Sequence, residues 1–222
     1  MDSAILQAIG TPGAISVAEL LAIRWLMQAH YPQVQNSCAV DLGTCAGKAA
    51  TAQLAGLRST WCARIHLVDP AYGPERDGLE ISSFPEGLRL NVVSRLQAVA
   101  PAVTVHLHGT TSLRFLANLD DRIGSVFIDS ANHAEPMLTQ ECDFSEARAV
   151  CGALFVFHDF GNQFSQVKER YEALVRSGRF EPIDIPWDRF NEDAAELEAG
   201  NDSWHRYDGV KNPNFVGALK RK

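Results

Sequence analysis

Between residue 37 and about residue 185 the chain alternates short apolar runs, rich in β-branched and aromatic residues, with longer segments whose apolar positions recur every three to four residues. No internal repeat or low-complexity linker interrupts the alternation. Strands joined by helices of this length lie parallel as neighbours, so the pattern dictates a three-layer α/β domain with a sheet covered on both faces. Strands are expected at 37–41, 64–69, 103–108, 123–129, 152–158 and 180–185, with a last one at 214–219. Helices are expected at 47–58, 85–100, 110–119, 134–150 and 163–177. In the second of these, Leu88, Val92, Leu96 and Val99 share one face. Residues 16–29 read as an added amphipathic helix, with Ser16 and Glu19 spaced as a capping box. The expected organisation is a helical cap over 1–36 on a ligand-binding domain over 37–222, one structural domain overall.

Composition narrows the function classes. With 222 residues, 46% of them hydrophobic and 21% charged, the chain can bury a real core. A net charge of −7 and the lack of a dense basic stripe argue against a nucleic-acid partner. Residues 1–10 hold no early Lys or Arg and no apolar core of signal-peptide length. The longest apolar run, 147–157, contains Arg148 and falls short of the roughly 20 residues that cross a bilayer, so no membrane partner is expected. Five cysteines without a CxxC pair fit reduced packing thiols and a cytoplasmic location. The acidic stretch 191–202 reads as a solvated loop and 220–222 as a short basic tail.

Ligands of open parallel sheets bind beyond the carboxyl ends of the strands, so the residues that terminate strands carry the information. The first strand ends in Asp41, followed by Gly43, Thr44, Cys45 and Gly47. A glycine there permits a tight turn, and the helix that follows offers unpaired N–H groups. The second strand ends in Asp69, about 20 residues beyond Gly47, where a carboxylate can accept from both hydroxyls of a ribose. A dinucleotide fingerprint would need glycines where the chain has Cys45 and Lys48, which weakens an NAD(P) reading. The YxxxK spelled by Tyr207 and Lys211 surrounds Gly209 near the C-terminus, away from any mid-chain helix, and reads as coincidence.

These features, together with Phe127-Ile-Asp-Ser-Ala-Asn-His133 and Gly152-Ala-Leu-Phe-Val-Phe-His-Asp-Phe160, resemble class I S-adenosylmethionine-dependent methyltransferases. The likeness is to the small-molecule O-methyltransferases related to the macrocin and catechol methylating enzymes. It covers roughly 13–220, where Gly13, Ser16 and Glu19 are similar to the family's leading G-x-x-S-x-x-E helix. The resemblance implies a Rossmann-like, doubly wound, mostly parallel seven-stranded sheet with helices on both faces. It implies methyl transfer from S-adenosyl-L-methionine to a hydroxyl of a small molecule. Asp41, Gly43, Thr44 and Gly47 would then line the methionine and ribose end of the cofactor pocket, with Asp69 on the ribose. Gly109 and Thr110 fall beside the adenine, where the family usually has Gly-Asp or Gly-Ser. Asp129, His133, His158 and Asp159 would surround the transferable methyl, Asp129 also touching the cofactor.

Methyl transfer to oxygen needs an activated hydroxyl and an in-line approach to the sulfonium carbon. Asp129 and Asp159 would share a divalent ion such as Mg²⁺, and His158 or His133 would take the proton. Metal-dependent relatives end the fifth strand in Asp-Asp or Asp-Asn, whereas here it ends in His158-Asp159, and imidazole suits Mg²⁺ poorly. Acceptor selection would rest on the N-terminal helix and the loops 72–84 and 187–207; a homodimer through that helix is also implied. The alternatives are an NAD(P)-dependent oxidoreductase on the same architecture and a non-catalytic relative.

Overall fold

The computed structural model describes residues 3–11, 15–57, 61–72, 87–130, 133, 135–160, 164–199 and 216–222. Seven strands, β1 (Ser37–Leu42), β2 (Cys62–Val68), β3 (Thr104–His108), β4 (Ile123–Ile128), β5 (Ala149–Phe157), β6 (Phe180–Pro182) and β7 (Gly217–Arg221), form one sheet. Its order is β3-β2-β1-β4-β5-β7-β6. The first five strands pair in parallel, and β7 runs antiparallel to both β5 and β6. The chain winds outward from β1 to β3, then crosses back to place β4 on the other side of β1. The carboxyl ends of β1 and β4 therefore flank the crevice at which such sheets bind ligands.

Alternation along the central strands fills both faces. Ala39, Phe127, Leu154 and Val156 join the apolar cluster beneath α2 (Val17–His30), α3 (Lys48–Gly56) and α4 (Gly87–Val99). Val40, Val126, Phe155 and Phe157 join the one beneath α5 (Ser112–Asn118), α6 (Met137–Arg148) and α7 (Ser165–Arg176). Val92 and Leu96 are fully buried, as the helical spacing requires. The capping box forms: the Ser16 amide donates to Glu19 Oε2 at 2.8 Å, and the Glu19 amide donates to Ser16 Oγ at 3.2 Å. No helix among the described residues is long and apolar enough to cross a membrane.

Two helices depart from the sequence expectation. A short α1 (Ser3–Ile9) buries Ala4, Ile5, Ala8 and Ile9. The acidic stretch expected as a loop belongs instead to α8 (Trp187–Glu198), whose Phe190 and Ala194, one turn apart, are buried. Phe190 packs on Trp25 of α2 with ring centroids 6.0 Å apart, and Trp187 and Leu197 pack half-buried beside it, so one apolar face orders a helix whose other side stays acidic and wet. Strand β6 spans Phe180–Pro182 instead of reaching residue 185, with the Ile183 amide still donating to the Ala218 carbonyl at 2.9 Å. The loop 73–86, the Tyr207 and Lys211 pair and residues 200–215 lie outside the described residues.

Candidate active site

The glycine turn is built by close backbone approach. Gly43 has φ +84°, and a Cβ added there would lie 2.0 Å from the Asp129 carbonyl oxygen, so only glycine lets the β1 and β4 tips pass this closely. The amides of the loop turn inward. Gly43 and Thr44 donate to the Val68 carbonyl at 2.9 and 3.4 Å, and Gly47 donates to the Thr44 carbonyl at 2.8 Å. Cys45, itself at φ +50°, donates to Asp69 Oδ2 at 2.8 Å. Tyr72 donates to the Cys45 carbonyl and Arg95 to the Ala46 carbonyl, tying the loop from outside.

Two of the expected cofactor residues serve this loop directly. Asp41 is fully buried and accepts from Thr44 Oγ1 at 3.0 Å and from Gln53 Nε2 at 2.7 Å. Burial pushes its carboxyl up to about 8 against the pull of the Thr44 hydrogen bond, and the charges of Asp129 and Asp69 push the same way. Asp69 is also buried; its Oδ1 accepts from the Ala71 amide at 2.8 Å while Oδ2 holds Cys45. Each oxygen keeps a further lone pair.

Beside the turn, four side chains converge from β4 and β5. Asp129 follows β4, His158 and Asp159 follow β5, and the His158 amide donates to the Ile128 carbonyl at 3.1 Å, which sets the two tips side by side. His158 Nδ1 lies 3.1 Å from Asp129 Oδ1 and 3.7 Å from Asp159 Oδ1. His133 Nε2 lies 3.2 Å from Asp159 Oδ2 and 3.8 Å from Asp129 Oδ1. Both imidazoles are buried, yet His133 Nδ1 and His158 Nε2 have no hydrogen-bond partner among the described residues. Burial lowers the His158 imidazolium, but the Asp129 hydrogen bond and the charges of Asp129, Glu19 and Asp159 outweigh it and hold the group up at about 9. His133 and Asp159 have φ of +45° and +57°, left-handed values that non-glycine residues hold only where the surroundings fix them. Asp129 does not cap the following helix, which starts at Met137 behind Pro136 with no side-chain cap.

Asp129, His133, His158 and Asp159 thus stand together. Among the described residues, Asp129, His133 and Asp159 each offer a ligand atom, all within 4.8 Å of one another. Gly109 and Thr110 line a cleft of about 490 Å³ with His66, His108, Arg114 and Phe115; none of the four converging residues lines it. Sequence reasoning missed Glu19 as a site residue. Its Oε1 lies 3.7 Å from His158 Nε2 while its other oxygen closes the capping box. Lys48, also buried, feels the Glu19 charge, although burial lowers its ammonium. The signal for Glu19 was an acid at a capping position, a role that accounts for the residue without calling for a second one.

No family model and no curated protein matches the chain by sequence. Solved structures match in fold. The O-methyltransferase TomG from Streptomyces achromogenes, involved in tomaymycin synthesis and solved with S-adenosylmethionine, matches with a TM-score of 0.61 at 16% identity, over 100% of this chain and 91% of that one. An O-methyltransferase from Bacillus cereus, solved with S-adenosylhomocysteine, matches with a TM-score of 0.59 at 12% identity, over 100% and 92% of the two chains. A methyltransferase from Geobacter sulfurreducens gives 0.54 at 15% identity, over 91% and 77%. The chain has the doubly wound, three-layer α/β fold that these methyltransferases share.

Proposed function

We propose that the protein is an S-adenosylmethionine-dependent O-methyltransferase acting on a hydroxyl of a small molecule. The observation that carries this reading is the cluster at the switch-point crevice, where two buried imidazole nitrogens have no hydrogen-bond partner among the described residues, beside Asp129 and Asp159. Unpartnered buried polar atoms beside the sheet's ligand crevice ask for a ligand. The O-methyltransferases that share the fold agree with it.

The glycine loop supports a sulfonium nucleoside over a dinucleotide. Its amides at Gly43, Thr44, Cys45 and Gly47 already have acceptors, so they form no cradle for a pyrophosphate. The carboxylates of Asp69, Asp129, Asp159 and Glu19 near the crevice favour a cation, as a sulfonium is. Asp69 would meet a ribose diol through the lone pairs that its two amide contacts leave.

On the acceptor side, Asp159 accepts the His133 Nε2 hydrogen, which leaves Nδ1 as a bare lone pair. His133 is therefore the general base, and Asp159 orients it, the division of labour between a base and a positioning carboxylate. His158 carries a proton at neutral pH and serves as a donor at Nε2, not as the base. Asp129 and Asp159, with His133 nearby, would hold a divalent cation, which when bound acidifies a coordinated hydroxyl.

Isothermal titration with S-adenosylhomocysteine tests the reading. Binding in the micromolar range, about −8 kcal/mol, is the expected result. No heat at millimolar ligand, or saturable NADH binding followed by fluorescence, overturns it.

A further inference from the structure

Three histidines that the proposed chemistry does not use lie on one face of the sheet edge. The register pairs His66 of β2 with His106 of β3, and His108 follows two residues on. The rings of His66 and His106 stack at 5.1 Å, and Phe115 lies 4.5 Å from His108 and 5.5 Å from His66. His66 Nε2 is 2.9 Å from Asp121 Oδ2, and Arg64 holds the other oxygen of that carboxylate at 2.8 Å. A carboxylate accepts, so His66 carries its hydrogen on Nε2 and presents a lone pair at Nδ1. That Nδ1 lies 3.0 Å from His108 Nε2, and both residues line the 490 Å³ cleft.

We infer that His66 Nδ1 and His108 Nε2 form a binding site for a borderline divalent transition-metal ion, Zn²⁺ or Cu²⁺, with Asp121 behind it as the orienting carboxylate. Two imidazole nitrogens about 3 Å apart are separated as adjacent ligands of an ion with bonds of about 2.0–2.1 Å. A ligating imidazole that donates its other N–H to a carboxylate is the recurrent arrangement around such ions. Imidazole donors select Zn²⁺ and Cu²⁺ over Mg²⁺ or Ca²⁺. The remaining coordination positions open to the cleft and take water or a ligand from solution. This site shares no residue with the Asp129, His133 and Asp159 cluster and does not depend on the methyltransferase reading.

Coordination replaces the hydrogen bond between the two rings. His66 already has its lone pair free, and His108 moves its hydrogen from Nε2 to Nδ1, so the ion enters without net proton release. Cys38, His66 and Asp121 also lie with ligand atoms within 4.8 Å of one another. The Cys38 thiol is fully buried, and burial pushes it up, so a site there would have to expel a thiol proton.

The experiment uses the full chain and the metals alone. Crystals soaked with Zn²⁺ should show an anomalous peak between His66 Nδ1 and His108 Nε2, and Zn²⁺ titration in two buffers of different ionisation enthalpy should give the same heat. Cu²⁺ electron paramagnetic resonance should report two-nitrogen coordination that His108→Ala abolishes and Cys38→Ser leaves intact. Asp121→Asn should weaken Zn²⁺ binding roughly 10–100-fold. A soaked crystal with no peak there, a peak at Cys38, a peak only at Asp129 and Asp159, or a two-nitrogen signal surviving in His108→Ala overturns the proposal. The anomalous measurement decides even if the variants fold poorly.

Discussion

His158 donates its Nδ1 hydrogen to Asp129 Oδ1 across 3.1 Å, joining the tips of two adjacent parallel strands by one charged hydrogen bond. The pair holds a buried cation that burial alone would discharge.

The first prediction follows from that pair. The His158 group, ordinarily at 6.5, titrates at about 9 in the folded chain. Its stabilising contribution is complete below pH 6.5 and is lost as pH rises through 9, on the order of 3 kcal/mol in all. In Asp129→Asn the ring should titrate clearly below its wild-type value by NMR. Urea denaturation from pH 6 to 10 should show the wild type losing its advantage over that variant.

Asp41 gives the opposite charge balance. Its carboxyl, raised from 3.8 to about 8, favours the protonated fold, so stability falls as pH climbs between those values. Asp41→Asn keeps an acceptor for Thr44, and its amide can donate to Gln53 Oε1, which has no partner among the described residues, once that side chain flips. The variant's stability relative to the wild type should rise by more than about 2 kcal/mol between pH 5 and pH 9, measured by denaturation.

Two glycines separate stability from binding. A Cβ at Gly56 would lie 2.2 Å from the Arg24 carbonyl oxygen, where α2 and α3 cross. Gly56→Ala should destabilise by about 1–3 kcal/mol with S-adenosylhomocysteine affinity intact in the folded protein. Gly43→Ala, at positive φ and against Asp129, should lose both.

Removing the proposed base, His133, should act on turnover alone. His133→Gln is expected to slow methyl transfer roughly 10²–10⁴-fold while S-adenosylhomocysteine binds within about twofold of wild type. Equal losses in both measurements would make His133 a binding residue instead.

Much of the fold was legible because buried strands and amphipathic helices announce themselves by period, as Val40 on β1 and Leu96 on α4 do. The strand-end residues were legible for a related reason: topology sends every parallel strand's carboxyl end to one side, so Asp41, Asp69, Asp129 and His158 had to meet there. Helix α8 was not, because Phe190 and Ala194 are its only buried residues amid acidic neighbours. Glu19 was half legible: its capping partner is three residues away, but its approach to His158 depends on how α2 packs over the sheet. The partnership of His66 with Asp121 crosses 55 positions in the chain and leaves no local trace.

The notch at Gly43 has a mechanical consequence. With the Asp129 carbonyl filling the space where a methyl would sit, the turn after β1 and the tip of β4 cannot slide past one another. The two walls of the crevice behave as a single jig, so a molecule seated against one wall meets an opposite wall whose alignment was settled when the chain folded.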